Sequence, residues 1–305
     1  MLSRRRMLQA VVAGATATTA AGLAPASVHA AASTSRKRPL TYYNHSYAVL
    51  DRATADAVEH SDYLHTFADF QIRETTGEQG TWIGRYLLGR ETYFELFGVG
   101  DLPGKDGELG AAGTGVSTER DGDLAEVIAR LPGEGVPDPV EFQQTRDFGD
   151  GRPVPWFDAV FTTQQYDTFG AWAMEYRPEY FADPRSDTEP PGFPGDVGRE
   201  RYLSDGYRDR LMRDVTGVHL AVTGSDLANT VPLLRAGGMR VKTRPDGAVA
   251  SDGYTTVRFD AVPQDRVGLR RVRMCLNRPP GTRHRERLGT STLLVGPGPK
   301  AVWTF

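Results

Sequence analysis

The chain has 305 residues, of which 39 % are hydrophobic and 25 % charged, and a formal net charge of −3. That is the balance of an ordinary globular protein, and it argues against a general nucleic-acid or polyanion binder, which would carry a basic excess. The single cysteine, Cys275, excludes an internal disulfide; a chain of this length buries a core without one, and the thiol reads as a small buried apolar residue.

Chain order begins with an export signal. Ser3-Arg4-Arg5-Arg6-Met7-Leu8-Gln9 has the pattern of a twin-arginine signal, with Met7 where phenylalanine is more usual. The mildly apolar run from Val11 to Ala21 is too short to span a bilayer, which takes about 20 strongly apolar residues. Val28-His29-Ala30 then places small residues where a signal peptidase reads. The expected partner of residues 1–30 is therefore the twin-arginine translocase, with cleavage near Ala30 and a secreted, soluble working form. Losing the three arginines takes the net charge to about −6. No second apolar stretch is long enough for a membrane span.

From Tyr42 to Leu50 the alternation predicts a strand with Tyr43, His45, Tyr47 and Val49 on one face. Asp51 is a good N-cap for a helix running to about Phe67. Strands follow at Phe70–Thr75, Thr81–Leu88 and Thr92–Gly98. A Gly/Pro/Asp linker (99–107) leads to a weak strand, Leu109–Ser117. Next comes a helix with Leu124, Val127, Ile128 and Leu131 on one face. Strands are then predicted at Val140–Arg146, Trp156–Thr162 and Gly170–Arg177. Residues 183–198 (DPRSDTEPPGFPGDVG) form a second linker. Beyond it the pattern gives a strand at Thr216–Thr223, a helix from Ser225 or Asp226 to Arg235, and strands near Met239–Thr243, Tyr254–Asp260 and Leu269–Leu276. A closing hairpin spans Arg287–Val295 and Lys300–Phe305.

The order strand, helix, strand, strand, strand recurs every 60 to 70 residues or so, a period that outweighs any local motif. The fold expected is α+β, built of repeated βαβββ units that form curved mixed sheets. Paired units at about 40–98 and 109–182 make one domain (31–182). A third unit with the C-terminal hairpin makes the other (199–305). Two correspondences support the repeat: His45 lies six residues before Asp51, and His219 six before Ser225. Glu95 and Glu175 each sit in the last strand of their unit.

The βαβββ units, His45 in a first strand and Tyr93-Phe94-Glu95-Leu96-Phe97 in a fourth resemble the vicinal oxygen chelate superfamily, which includes glyoxalase I, extradiol dioxygenases and bleomycin-resistance proteins. Tyr43 to Leu50, Phe169 to Pro178 and Ala301 to Phe305 resemble more closely an uncharacterised family of secreted actinobacterial glyoxalase-like proteins. That likeness covers most of the chain from Pro39 onward.

The resemblance implies a cup formed by two units, with a divalent metal (Fe, Mn, Ni or Zn) held from first and fourth strands. Carried over, it makes His45, Glu95 and Glu175 metal ligands, with Glu95 and Glu175 as catalytic carboxylates. The second unit's first strand offers no ligand, and His219 could supply an imidazole only if the third unit packs against the first. One imidazole and two carboxylates suit such an ion and leave positions open for substrate oxygens. Two functions follow. One is a metal-dependent lyase, isomerase or dioxygenase acting on a small carbonyl or vicinal-oxygen compound. The other is a non-catalytic protein that sequesters a small molecule in an aromatic-walled cup. The arginines between Arg266 and Arg287 read first as a solvated strand face.

Overall fold

A computed structural model describes residues 38–77 and 80–305; the export signal read at residues 1–30 lies outside them. The first unit is β1 (Thr41–Leu50), α1 (Arg52–Glu59), α2 (Asp62–Phe67), β2 (Asp69–Gly77), β3 (Gly80–Leu88) and β4 (Tyr93–Gly98). Asp51 caps α1 by accepting from the Thr54 amide. The one helix expected here is two, because the Ser61 hydroxyl accepts from the Leu64 amide and starts α2 afresh. The second unit is β5 (Ala112–Thr118), α3 (Asp123–Arg130), β6 (Val140–Arg146), β7 (Val154–Phe161) and β8 (Phe169–Tyr176). A short helix, α4 (Pro178–Ala182), opens the segment after it.

The third unit is β9 (Met212–Val222), α5 (Gly224–Ala236), β10 (Arg240–Arg244), β11 (Gly247–Ser251) and β12 (Thr256–Ala261). Strand β11 (GAVAS) is absent from the sequence reading because its small residues carry little strand propensity. Its presence completes the third unit at β12. The remaining β13 (Gly268–Leu276), β14 (His284–Leu288), β15 (Ser291–Val295) and β16 (Lys300–Thr304) then form a fourth unit, where the sequence suggested only a strand and a hairpin.

The units pair in twos. One sheet has the order β2-β3-β4-β1-β5-β8-β7-β6, the other β10-β11-β12-β9-β13-β16-β15-β14. Within the first three units the opening and closing strands are parallel, as a helical crossover requires. In the fourth, β13 and β16 are antiparallel. No helix joins β13 to β14, so the chain turns back at once and its last three strands run reversed. The fold is thus α+β with two curved eight-stranded mixed sheets, three of whose four units are glyoxalase-like βαβββ units. The first unit's partner is the second, through β1 and β5.

Helices α1, α2, α3 and α5 lie between the sheets and the main core fills the same layer, with Phe67, Leu96, Leu220, Phe259 and Trp303 all 1 % exposed or less. Tyr63 of α2 stacks on His284 of β14 at 3.7 Å. Among the described residues no helix is long and apolar enough to cross a membrane. Asp226, fully buried in the first turn of α5, ties the halves together by accepting from the amides of Asp167 (2.7 Å), Thr168 and Phe169 (both 3.0 Å). Asp226→Ala leaves three amides without an acceptor and should cost about 3 kcal/mol. Urea denaturation monitored by circular dichroism measures this. A loss under about 1 kcal/mol would mean that the β7–β8 turn finds other acceptors.

Candidate functional site: an aromatic cup on the first sheet

The first sheet curls so that its outer face, away from the second sheet, encloses a cavity of about 300 Å³. His45 and Tyr47 of β1, Tyr93, Glu95 and Phe97 of β4, and Trp172, Met174 and Tyr176 of β8 line it. Trp82 and Tyr86 of β3 and Phe157 and Phe161 of β7 extend the walls, and Tyr202 and Leu203 enter from the segment before β9.

A bulge at Asn44 decides which β1 residues reach the cup. The β1–β5 register steps from Tyr43↔Val116 to His45↔Gly115, so Asn44 is the extra residue. Tyr43, expected beside His45, is therefore turned into the core between the sheets, where it is fully buried. The bulge also fixes the imidazole. Asn44 donates its two amide hydrogens to Ser117 Oγ (3.0 Å) and to the Tyr202 hydroxyl (2.6 Å), leaving Oδ1 to accept from His45 Nδ1 at 2.7 Å. The ring is held between Tyr93, stacked at 4.4 Å, and the edge of Trp172 at 5.2 Å. Its free Nε2 faces Glu95 Oε1 at 4.0 Å.

Burial governs both ionisations. It pushes the His45 imidazolium down to about 3. It raises the Glu95 carboxyl to about 8, against the opposing pull of the Tyr93 hydroxyl and of Arg73. Near neutral pH the contact thus joins a neutral imidazole acceptor to a protonated carboxyl, and is not an ion pair.

Glu175 does not join them. Strand β8 alternates Trp172, Met174 and Tyr176 into the cup, so Glu175, one residue out of phase, points to the opposite face. There it accepts from Thr118 Oγ1 (3.0 Å) and the amides of Gly122 and Leu124 (2.9 Å each), capping α3. Burial raises its carboxyl and these bonds pull it back.

His219 lies on the outer face of the second sheet, away from His45. The α5 N-cap is Thr223, not Ser225. Six residues before that cap stands Gly217, which occupies the place of His45, while His219 matches Tyr47. His219 Nε2 bonds Asp260 Oδ2 at 2.6 Å. Burial tends to raise Asp260, but the bonds from His219 and Arg258 hold it below the usual range. That face is open. One register row across it reads Lys242, Val249, Arg258, His219, Arg271, Thr304, Thr292, Arg287.

Among the described residues no group of three or more His, Cys, Asp or Glu side chains could hold a metal. The place across from His45 is taken by Gly115 and Trp172. A Cβ at Gly115 would stand 2.8 Å from His45 Cε1 and 3.0 Å from the Trp172 ring, so no ligand-bearing residue fits there. His45 and Glu95 are two donors, and the side chains present do not by themselves make a divalent-metal site.

Residues 43–305 match the model of a family of unknown function, DUF5829. The chain belongs to this family. No functionally curated protein matches it. Among solved structures it is similar to a hypothetical protein from Staphylococcus aureus, with 11 % identity, a TM-score of 0.45, and 73 % of this chain and 87 % of that one covered. It is also similar to a catechol 2,3-dioxygenase, with 10 % identity, a TM-score of 0.40, and 76 % and 69 % covered. A third is a 2,2',3-trihydroxybiphenyl 1,2-dioxygenase from Sphingomonas wittichii strain RW1, with 12 % identity, a TM-score of 0.34, and 73 % and 69 % covered.

Sequence reasoning missed several cup residues. Arg73 and Thr75 of β2 and Gln144 and Arg146 of β6 line the cavity from the two edges of the first sheet. Their signal was present in the alternation of Phe142, Gln144 and Arg146, but the closing of β2 toward β6 is a property of sheet curvature. Asn44 was assigned to the face away from His45, and only the bulge brings it into service.

Proposed function

We propose that the cup binds a small aromatic compound bearing a hydroxyl or enolic oxygen, with His45 and Glu95 as its polar floor. The observation that carries this is the matched pair at the base of the cavity. Neutral His45 Nε2 accepts a hydrogen bond and the protonated Glu95 carboxyl donates one, 4.0 Å apart inside aromatic walls. A hydroxyl both donates and accepts, so it satisfies the two groups together. The volume, about 300 Å³, suits a ligand of one or two rings. With Nε2 so weak a base, the floor holds such an oxygen in its protonated form, which favours sequestration over proton-transfer chemistry.

Export by the twin-arginine translocase remains part of the proposal and places this binding outside the cytoplasm. The metal-dependent lyase, isomerase or dioxygenase reading has less support, since the ligand would have to supply the donors that Gly115 and Trp172 do not. Metal analysis of purified protein tests it: less than about half an equivalent of tightly held divalent metal removes it.

Calorimetric titration with 2-naphthol, and with 2-methylnaphthalene as the partner lacking a hydroxyl, tests the binding reading. His45→Phe keeps the ring between Tyr93 and Trp172 but removes the acceptor. It should weaken 2-naphthol about tenfold and leave 2-methylnaphthalene unchanged. Absence of binding by either compound to the unaltered protein would overturn the proposal.

A further inference from the structure

We propose that the cup takes an aromatic anion, its acidic group held at the rim between Arg73 and Arg146 while its ring extends toward His45 and Glu95. This rests on the binding function just proposed and narrows it to a ligand class.

Three features point to it. The first is placement. Arg73 is on β2 and Arg146 on β6, the two edge strands of the first sheet, and both side chains line the cavity that those edges close. The second is that neither guanidinium is neutralised. Arg73 donates from Nε to Gln71 Oε1 at 2.7 Å and lies over the Tyr86 ring at 5.6 Å. Arg146 lies over Trp156 at 5.0 Å and Phe148 at 5.2 Å. Among the described residues neither has a carboxylate within ion-pair distance, whereas Arg85, Arg177, Arg185 and Arg199 each have two. Stacked on aromatic rings, the two forks are held in place with donors to spare, the arrangement that receives a planar carboxylate.

The two charges also act on one spot. Burial raises the Tyr180 hydroxyl, and Arg146 and Arg73 both pull it back.

The third feature is an unmet acceptor beside them. Gln144, 5 % exposed and two residues before Arg146, has its Oε1 buried with no hydrogen-bond partner. A buried acceptor left unpaired is costly, and turning this amide end for end presents Nε2 as a donor to the ligand's acidic group.

Calorimetry with 2-naphthoate and its neutral isostere 2-naphthamide at pH 7 tests the proposal on the full chain. The unaltered protein should bind the carboxylate at least about tenfold more tightly, the yield of one charge-assisted bidentate contact. Arg73→Gln combined with Arg146→Gln should bring the two ligands to parity. Arg73→Lys combined with Arg146→Lys should keep much of the preference, which controls for loss of packing on Tyr86 and Trp156. Equal affinities in the unaltered protein overturn the anion site and leave the aromatic cup standing, as does a preference that survives the double glutamine variant. If neither naphthalene binds, the anion site and the cup reading fall together.

Discussion

Glu95→Gln should leave stability almost unchanged at pH 4.5 and raise it by on the order of 5 kcal/mol at pH 9. The sign follows from the direction of the shift. In the unfolded chain the carboxyl titrates near 4.5, whereas burial in the cup lifts it to about 8. Below pH 4.5 both states hold the proton and the group costs nothing. As pH rises toward 8 the unfolded chain gives up its proton and the folded protein keeps it, so stability falls throughout that interval and levels off above it. Glutamine fills the same volume and never ionises, which removes the penalty. His45 acts at the other end: its imidazole is depressed from 6.5 to about 3, so stability is lost as pH falls through that range. The two contributions oppose each other between about pH 4.5 and 6.5, where the folded protein should be least sensitive to pH. Paired urea titrations of the unaltered protein and the Glu95→Gln variant across pH 4.5 to 9 measure the difference, in which other carboxylates cancel. A difference that stays flat with pH would show that Glu95 ionises normally and that the floor of the cup carries a charge.

How far the sequence reached depends on parity and register more than on element type. The alternation of β1, β4 and β8 was legible, and with it the repeat of βαβββ units. What alternation cannot show is a bulge. One extra residue at Asn44 sends Tyr43 to the core and leaves His45 and Tyr47 in the cup, although all three share a phase in the sequence. Glu175 failed for a related reason. It occupies the last strand of its unit as Glu95 does, but one residue out of phase, and a one-residue slip exchanges cup for helix-packing face. His219 was misaligned by two residues because Thr223, not Ser225, caps α5. That error preserves the face and so hides itself. The fourth unit was obscured by β11, whose small residues lack a strand signature, and by the missing helix after β13. Arg73, Gln144 and Arg146 lie far apart in the chain and meet only because the sheet curls, which no local pattern records.

Arg199→Met should destabilise the protein by about 3–5 kcal/mol, the cost of removing one partner from a buried ion pair, and should weaken the cup in the molecules that still fold. The residue lies just past the stretch read as a linker, yet it is 3 % exposed. Its Nε donates to Glu119 at 2.6 Å, one terminal nitrogen donates to the Tyr43 carbonyl at 2.5 Å, and the other stands 3.4 Å from Glu91. Methionine preserves much of the volume and none of the donors, leaving Glu119 and the Tyr43 carbonyl without their donor and Glu91 with Arg90 alone. Lysine, with a single charged tip, cannot span all three acceptors and should recover only part of the loss. The link to the cup runs through Tyr202, three residues further on. Its ring stacks on Tyr176 at 3.6 Å, and its hydroxyl accepts from the Asn44 amide whose Oδ1 orients His45. Releasing the segment therefore loosens a wall of the cavity and the tautomer of its imidazole together. Chemical denaturation should show the stability loss, and calorimetry at low temperature should show 2-naphthol affinity falling about tenfold. Full affinity in a destabilised Arg199→Met protein would mean that Tyr202 holds its place without the buried cation, and that stability and the polar floor are separable.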